Sequence, residues 1–192
     1  MPAGDTTRLQ IYRAPVGDTL DRAAHAVGRP VLVSAGITSS IVDGDATRTD
    51  LLTGAWSGGA GWTPGPDGGS AAAGSASSLR QPITVADGQV LRIALTVSGM
   101  TAGTLTPQLA GSATVLGAAI TADGRHYMEL TAAGTAEVAL EKDAAWDGTV
   151  SEVSLYIRSG TSAPQGAWDY WAEPQVDGLY ADAAGPITTE IS

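Results

Sequence analysis

The 192-residue chain is predicted to be all-β, an antiparallel sandwich or barrel, on three observations. Apolar residues alternate with polar ones in short runs, the period of a pleated strand with one buried face. Turn signals, Asp-Gly pairs above all, recur every ~8–12 residues, the spacing of sandwiches and barrels. Phe is absent, and Ala and Gly are abundant, so the core has to be built from Val, Leu, Ile and Ala, a set that suits pleated sheets.

Taken in order, Thr7 to Arg13 alternates with Leu9 and Ile11 on one face and reads as a short strand. Asp18 is a suitable N-cap and Gly28 a suitable C′ residue, which predicts one short helix between them, stopped by Pro30. Val31–Val33 and residues 37–42 are further strand candidates, and Asp43-Gly44 is a turn. Composition changes near residue 52. From Thr53 to Ser78 the chain is Gly, Ala and Ser with Trp56 and Trp62 embedded, read as two short strands joined by a turn over residues 64–69; a flexible linker is the alternative. From Gln81 the strand pattern is strong. Leu91, Ile93, Leu95 and Val97 share one face of a long strand and are expected to be buried, and Val90, Arg92, Ala94, Thr96 and Ser98 line the other. Further strands are expected near 104–109, 113–120, 127–130, 136–140 and 150–157, with residues 168–174 as a last strand closing the sandwich. The expected organisation is an N-terminal attachment segment at 1–51, a sandwich at 52–175 and an extended C-terminal arm at 176–192, with at least eight strands and at most two short helices.

Composition excludes several classes of function. Without Cys there are no disulfides and no thiolate metal sites. No stretch approaches the ~18 apolar residues of a membrane helix. The segment from Met1 to Arg13 lacks the basic and apolar regions of a signal peptide. A formal charge of −10, from 10 basic and 20 acidic residues, repels phosphate backbones and argues against nucleic acid. The charge is uneven: residues 1–50 are close to neutral, whereas Asp169, Glu173, Asp177, Asp182 and Glu190 face no base after residue 158. That pattern fits plain solubility, or a near-neutral end that docks and an acidic end that faces solvent.

The rhythm of turns and strands carries a resemblance. Gly54–Trp62, with its Gly-rich lead into a Trp-containing strand, then Gln81–Gly99, Ala102–Gly111, Ile120–Tyr127 and Ala145–Leu155, resemble the successive strands of galactose-binding-like, carbohydrate-binding-module-like jelly rolls found in head and tail appendages of bacteriophages. The resemblance covers residues 52–158. It implies a two-sheet antiparallel jelly roll that either binds carbohydrate or serves a structural role, and a virion location. Residues 1–50 lie outside it and are expected to dock the module on the particle through Leu9, Ile11, Val31 and Val33. Head decoration, head spike or fibre, and tail-tip component are the positions it leaves open. The partners implied are other virion proteins, further copies of the chain, and host surface glycan.

No constellation for catalysis is expected. His25 falls in the predicted helix and His126 after a turn, and neither lies near a Ser or Cys nucleophile setting. Six of the 20 acidic residues sit in Asp-Gly turns (Asp43, Asp67, Asp87, Asp123, Asp147, Asp177), where the Asp side chain and the glycine's positive φ account for them, and no carboxylate pair is assigned. Asp43, Asp45 and Asp50 cluster but do not match a calcium loop, so no metal and no cofactor is assigned. The aromatic residues Trp56, Trp62, Trp146, Trp168, Tyr170 and Trp171 remain as candidates for stacking on a sugar ring or for an interface, against the alternative that they fill the core. In a strand Trp168 and Tyr170 share one face and Trp171 points the other way.

Overall fold

A computed structural model describes residues 7–32, 50–158, 165–176, 179–180 and 182–191. Fifteen strands and no helix occur among the described residues. They are β1 (Thr7–Pro15), β2 (Ala26–Leu32), β3 (Ser57–Gly58), β4 (Trp62–Gly65), β5 (Gly68–Ala71), β6 (Ser77–Pro82), β7 (Val90–Ser98) and β8 (Leu105–Gly111), then β9 (Thr114–Leu116), β10 (Gly124–Thr131), β11 (Thr135–Lys142), β12 (Gly148–Ile157), β13 (Gly166–Val176), β14 (Leu179–Tyr180) and β15 (Ala184–Ile191). They form three antiparallel sheets. The chain divides into two units, residues 47–160 and a second unit made of residues 1–46 with 161–191.

Residues 50–158 form a β-sandwich. One sheet has the order β10-β7-β12-β5-β4 and the other β3-β6-β11-β8-β9. The alternation along β7 decides which face is inward: Leu91, Ile93, Leu95 and Val97 are all buried, as the period of two requires. They meet Leu79, Leu105, Leu109, Val138, Leu140, Trp146 and Leu155 from the neighbouring strands and the facing sheet. Each such aliphatic side chain, fully removed from water, contributes about 1.5–3 kcal/mol. The stretch read as two strands around a turn is the hairpin β4–β5, in register from Trp62↔Ala71 to Gly65↔Gly68. Gly68 is required there: its φ is +147°, and a Cβ would stand 2.3 Å from the Val150 carbonyl oxygen of β12. Gly103, φ +80°, leads into β8 in the same way, 2.3 Å from the Trp146 backbone nitrogen if it carried a Cβ.

The Asp-Gly turns are as expected in their glycines and different in their aspartates. Gly88, Gly124 and Gly148 have positive φ. The carboxylates reach beyond their own turns. Asp123 accepts the N–H groups of Gly99 and Met100, Asp147 the amide N–H and the hydroxyl O–H of Thr101, and Asp87 the N–H of Gly134. Asp143 accepts from the Thr104 hydroxyl and from the amides of Ala145 and Trp146. These acids fasten neighbouring loops to one another. Asp50 accepts from the amides of Leu52 and Leu155; its expected companions Asp43 and Asp45 lie outside the described residues.

The second unit corrects three expectations. First, no helix follows Asp18. A single turn forms instead, in which Asp21, not Asp18, accepts the amides of Ala23 and Ala24 and the His25 amide reaches the Asp21 carbonyl. The chain then enters β2, because Ala26 and Val27 pair with Tyr12 and Ile11; a helix of about ten residues is marginal on its own, and the ladder wins. Second, the strand expected to close the sandwich, residues 168–174, belongs to β13, which pairs with β1 along its length from Thr7↔Val176 to Pro15↔Trp168. Third, the segment expected as an extended arm supplies β14 and β15, which pair with the other edge of β13. The segments before and after the sandwich thus share one sheet, called here the flanking sheet.

One face of the flanking sheet is covered. Gln10, Tyr12 and Ala14 of β1 and Asp169, Trp171 and Glu173 of β13 are buried on it, and Leu20 and Ala183 pack against the cluster of Tyr12, Ala14 and Trp171. The loop between β1 and β2 is held there by two carboxylates. Glu173, 0% exposed, accepts from the Tyr12 hydroxyl at 2.5 Å and from Arg22 Nε at 2.6 Å. Asp169 accepts the Gly17 amide at 2.9 Å and the Thr188 hydroxyl at 2.5 Å. The other face carries half-buried Leu9, Ile11 and Val27.

Candidate functional site

The six aromatic candidates divide between the two units. Trp56, Trp62 and Trp146 are buried in the sandwich core. Trp62 and Trp146 pack at a centroid distance of 5.3 Å and 31°, a tilted pair of the kind aromatic quadrupoles favour. They fill the core, a role that the absence of Phe leaves to them. Trp171 is buried against Tyr12 on the covered face of the flanking sheet. Trp168 and Tyr170 lie on its opposite face, the alternation expected for a strand, and Arg13 stacks over the Trp168 ring at 5.2 Å. Of the attachment residues, Leu9 and Ile11 are half-buried on that same face. Val31 enters the ladder opposite Leu9; its side chain, and Val33 altogether, lie outside the described residues.

A different set of residues is brought together on the outward face of the sheet β10-β7-β12. The outward residues of β7 are the even-numbered ones, and they should be exposed. Arg92 is only 5% exposed and Ala94 1%, because side chains of the two flanking strands close over them. Register places Tyr127 and Ser154 on either side of Ala94, Glu129 and Tyr156 on either side of Arg92, and Arg125 and Ser151 on either side of Thr96.

At one end of this face Glu129 bridges two arginines, accepting from Arg92 Nε at 2.9 Å and Arg158 Nη1 at 2.8 Å. Burial alone would raise the Glu129 pKa, but the hydrogen bonds from Arg92 and Arg158 outweigh it and hold the carboxyl below its ordinary value. At the other end Glu152 accepts from the Thr96 hydroxyl at 2.8 Å, and Arg125 donates to the Glu152 carbonyl at 2.8 Å while its guanidinium lies 5.7 Å from the Tyr127 ring centroid. Tyr127 lies in the row between the two ends and Tyr156 across Arg92 from Glu129, both half-buried. The Ser154 hydroxyl lies beneath them, buried and without a partner among the described residues.

Glu152 reaches this face by an irregularity. The β12–β7 register shifts between Ser151 and Ser154, so β12 carries one extra residue, and Glu152 there has a φ of +51°. A bulge of this kind re-aims a side chain, and a left-handed non-glycine residue costs of order 1–3 kcal/mol. The strand accepts strain and gains a carboxylate on the outward face.

Other parts of the surface offer less. A shallow depression beside β3 and β6 is lined by Ser57, Gly58, Ser77, Ser78, Arg80 and Glu141, but its polar groups are spent on one another: the Ser78 hydroxyl donates to Glu141, and Arg80 donates to the Ser78 hydroxyl and to Glu137. Among the described residues no group of three His, Asp or Glu side chains is placed to hold a metal, and no helix is long and apolar enough to cross a membrane.

The tyrosine–arginine face escapes a reading that looks for Trp. Its signal is three segments with the same alternation, Arg125-x-Tyr127-x-Glu129, Arg92-x-Ala94-x-Thr96 and Ser154-x-Tyr156-x-Arg158, which only the strand register brings side by side. Compared with models of protein families and with curated proteins, the chain matches none.

Proposed function

We propose that the protein is a non-enzymatic structural protein displayed on the surface of a phage-type particle, attached through the flanking sheet and presenting the sandwich. One observation carries this reading: residues 50–158 close a core among themselves, while the segments on either side pair with each other in a sheet of their own. Attachment and display are then divided between two units of one chain. The attachment surface includes the C-terminal strands as well as the N-terminal segment, with half-buried Leu9, Ile11 and Val27 on the face away from the loop. Half-covered apolar side chains of this kind suit an interface with a capsid or tail protein or with further copies of the chain.

The strand order supports reading the sandwich as a jelly roll. Strands β5, β12, β7 and β10 are neighbours in one sheet and β6, β11, β8 and β9 in the other, so from β5 to β12 consecutive strands alternate between sheets except at the β8–β9 hairpin, as in interlocked Greek keys. The absence of catalysis is supported by how the acids are used. Glu129 is held ionised by two arginines, Asp123, Asp143 and Asp147 are engaged by amide and hydroxyl donors, His25 accepts the Asp21 amide, and His126 contacts the Ala122 carbonyl. A second reading, a module that attaches the particle to host surface polysaccharide, draws on the Tyr127–Tyr156 face and not on the tryptophans.

Expressed alone, residues 47–160 are expected to fold, and to stay off particles that the full chain joins. Loss of the two-sheet fold in this fragment, or its incorporation as readily as the full chain, overturns the reading.

A further inference from the structure

We infer that the outward face of the β10-β7-β12 sheet is a binding site for a carboxylate-bearing polysaccharide, such as a uronic-acid polymer. The inference rests on the glycan-attachment reading above and specifies its site and its ligand class.

Three features carry it. The first is charge. The sandwich has five basic residues among those described, Arg80, Arg92, Arg125, Lys142 and Arg158. Lys142 is fully buried, its Nζ on the Ser75 carbonyl, and Arg80 lies on the other sheet. The remaining three converge on this face against two glutamates, a locally positive surface on a chain of net charge −10. Such a surface draws in an anion that the rest of the molecule repels. Guanidinium is also the group whose planar fork matches a carboxylate.

The second is the aromatic pair. Tyr127 and Tyr156 stand on strands two spacings apart, ~10 Å across the sheet, and in neighbouring rows, Tyr127 beside buried Ala94 and Tyr156 beside buried Arg92. Sugar rings present apolar C–H faces that lie on such rings, and two rings at this separation suit successive units of a chain. An acidic peptide has the charge but lacks these faces.

The third is preorganisation. Glu129 and Glu152 orient the arginines before any ligand arrives, and each glutamate also accepts hydrogen bonds, so the same face offers acceptors to hydroxyl groups. The strained Glu152 is placed by a bulge, and the Ser154 hydroxyl lies unsatisfied beneath the tyrosines.

The test uses the purified full-length chain and calorimetric titration with polygalacturonate oligosaccharides, with neutral dextran oligosaccharides and polyglutamate of matched length as comparators. Binding to polygalacturonate is expected, weakening as salt is raised and at least about tenfold weaker in Tyr127→Ala, in Tyr156→Ala and in Arg158→Ala. Arg80→Ala, on the other sheet, should bind as the parent does. Glu152→Gly keeps the bulge and relieves the left-handed strain, so it should melt no lower than the parent and still bind more weakly. Unchanged melting of the variants keeps a loss of binding from being read as a loss of fold. Equal binding of polyglutamate, no binding of any probe, or binding insensitive to the Tyr and Arg substitutions overturns the inference. Equal binding of dextran through the same residues overturns the carboxylate specificity and leaves the glycan-attachment reading standing.

Discussion

In the sandwich, nineteen buried apolar side chains from Trp56 to Leu155 meet between two sheets. In the flanking sheet, the buried apolar cluster among the described residues is Tyr12, Ala14 and Trp171, and the face is closed by a loop tied down on Glu173 and Asp169. Both units solve the same problem, covering a sheet face, with side chains drawn from one unusual composition. The sandwich does it by area, which is non-directional and adds up over many contacts. The flanking sheet does it with a few directional bonds to buried carboxylates, which lose most of their worth when any one partner leaves. A unit built in the second way has less stability of its own and gains more from a partner that covers it.

The comparison is broken most severely from the sandwich side. Leu140→Ala, at a fully buried position, should cost about 2–5 kcal/mol and lower the main thermal transition by many degrees; a change of less than about 1 kcal/mol in denaturant unfolding would mean that the core is not packed as described. Gly103→Ala comes next. Its Cβ has no room beside Trp146, and the backbone there is left-handed, so a loss of about 1–3 kcal/mol is expected, read by the same melt.

In the flanking sheet, Tyr12→Phe removes one hydrogen bond to a buried carboxylate, worth about 1.5–3 kcal/mol. Its effect should be confined: faster hydrogen exchange at Gly17 and Ala23–His25, with the sandwich amides unchanged. Uniform acceleration across both units would show that they do not unfold separately.

Acid sharpens the same contrast. The Gly17 amide, then the Thr188 hydroxyl, hold the Asp169 carboxyl below its ordinary pKa, and the Ala24 and Ala23 amides do the same for Asp21. In the sandwich, Asp143 is lowered chiefly by the Thr104 hydroxyl and Asp147 by the Thr101 amide. A carboxyl with a depressed folded pKa stabilises the fold throughout the range above its ordinary value and loses that contribution as pH falls through the depressed one. Both units should therefore be insensitive to pH near neutrality and loosen in acid below the usual carboxylate range. The loop over Asp169 should open first, because fewer apolar contacts remain to hold it. Indole N–H resonances followed by NMR from neutral to acid pH report this: those of Trp168 and Trp171 should shift before those of Trp62 and Trp146. The smallest effect belongs to Arg80→Ala, an exposed ion pair to Glu137 at 3.1 Å, where a change within about 1 kcal/mol is expected in the melt.

Features set by local pattern are legible in this sequence, and features set by register are not. The buried face of β7 follows from its own alternation, and the hairpin at residues 62–71 follows from the run of Pro and Gly over residues 64–69, just after Trp62. The helix after Asp18 failed because the capping signals there are satisfied by a single turn, and the competing partner, β1, lies several residues earlier on an edge that no local pattern reveals. The strand at residues 168–174 is legible in the sequence but its neighbour is not, since its partner lies more than 150 residues away, as in the Tyr12–Glu173 pair at a separation of 161. The tyrosine–arginine face has the same origin. Arg92, Tyr127 and Tyr156 are unremarkable singly, and the bulge that adds Glu152 leaves no mark in composition.

The hydrogen bonds that clamp the two ends of the sandwich also set the order of folding. In the unfolded chain the contact between Gly17 and Asp169 must close a span of 152 residues. Once the sandwich has formed, the Leu51 amide sits 2.9 Å from the Leu155 carbonyl and Asp50 holds the Leu155 amide, so only the flanking stretches remain to be closed. Each halving of a loop lowers its closure cost by about 0.6 kcal/mol. During synthesis β1 and β2 emerge first and have each other to pair with, while the other edge of β1 waits for β13. The flanking sheet is thus completed late, after the sandwich has closed, and a nascent chain that stalls before β13 holds a finished sandwich and an incomplete flanking sheet.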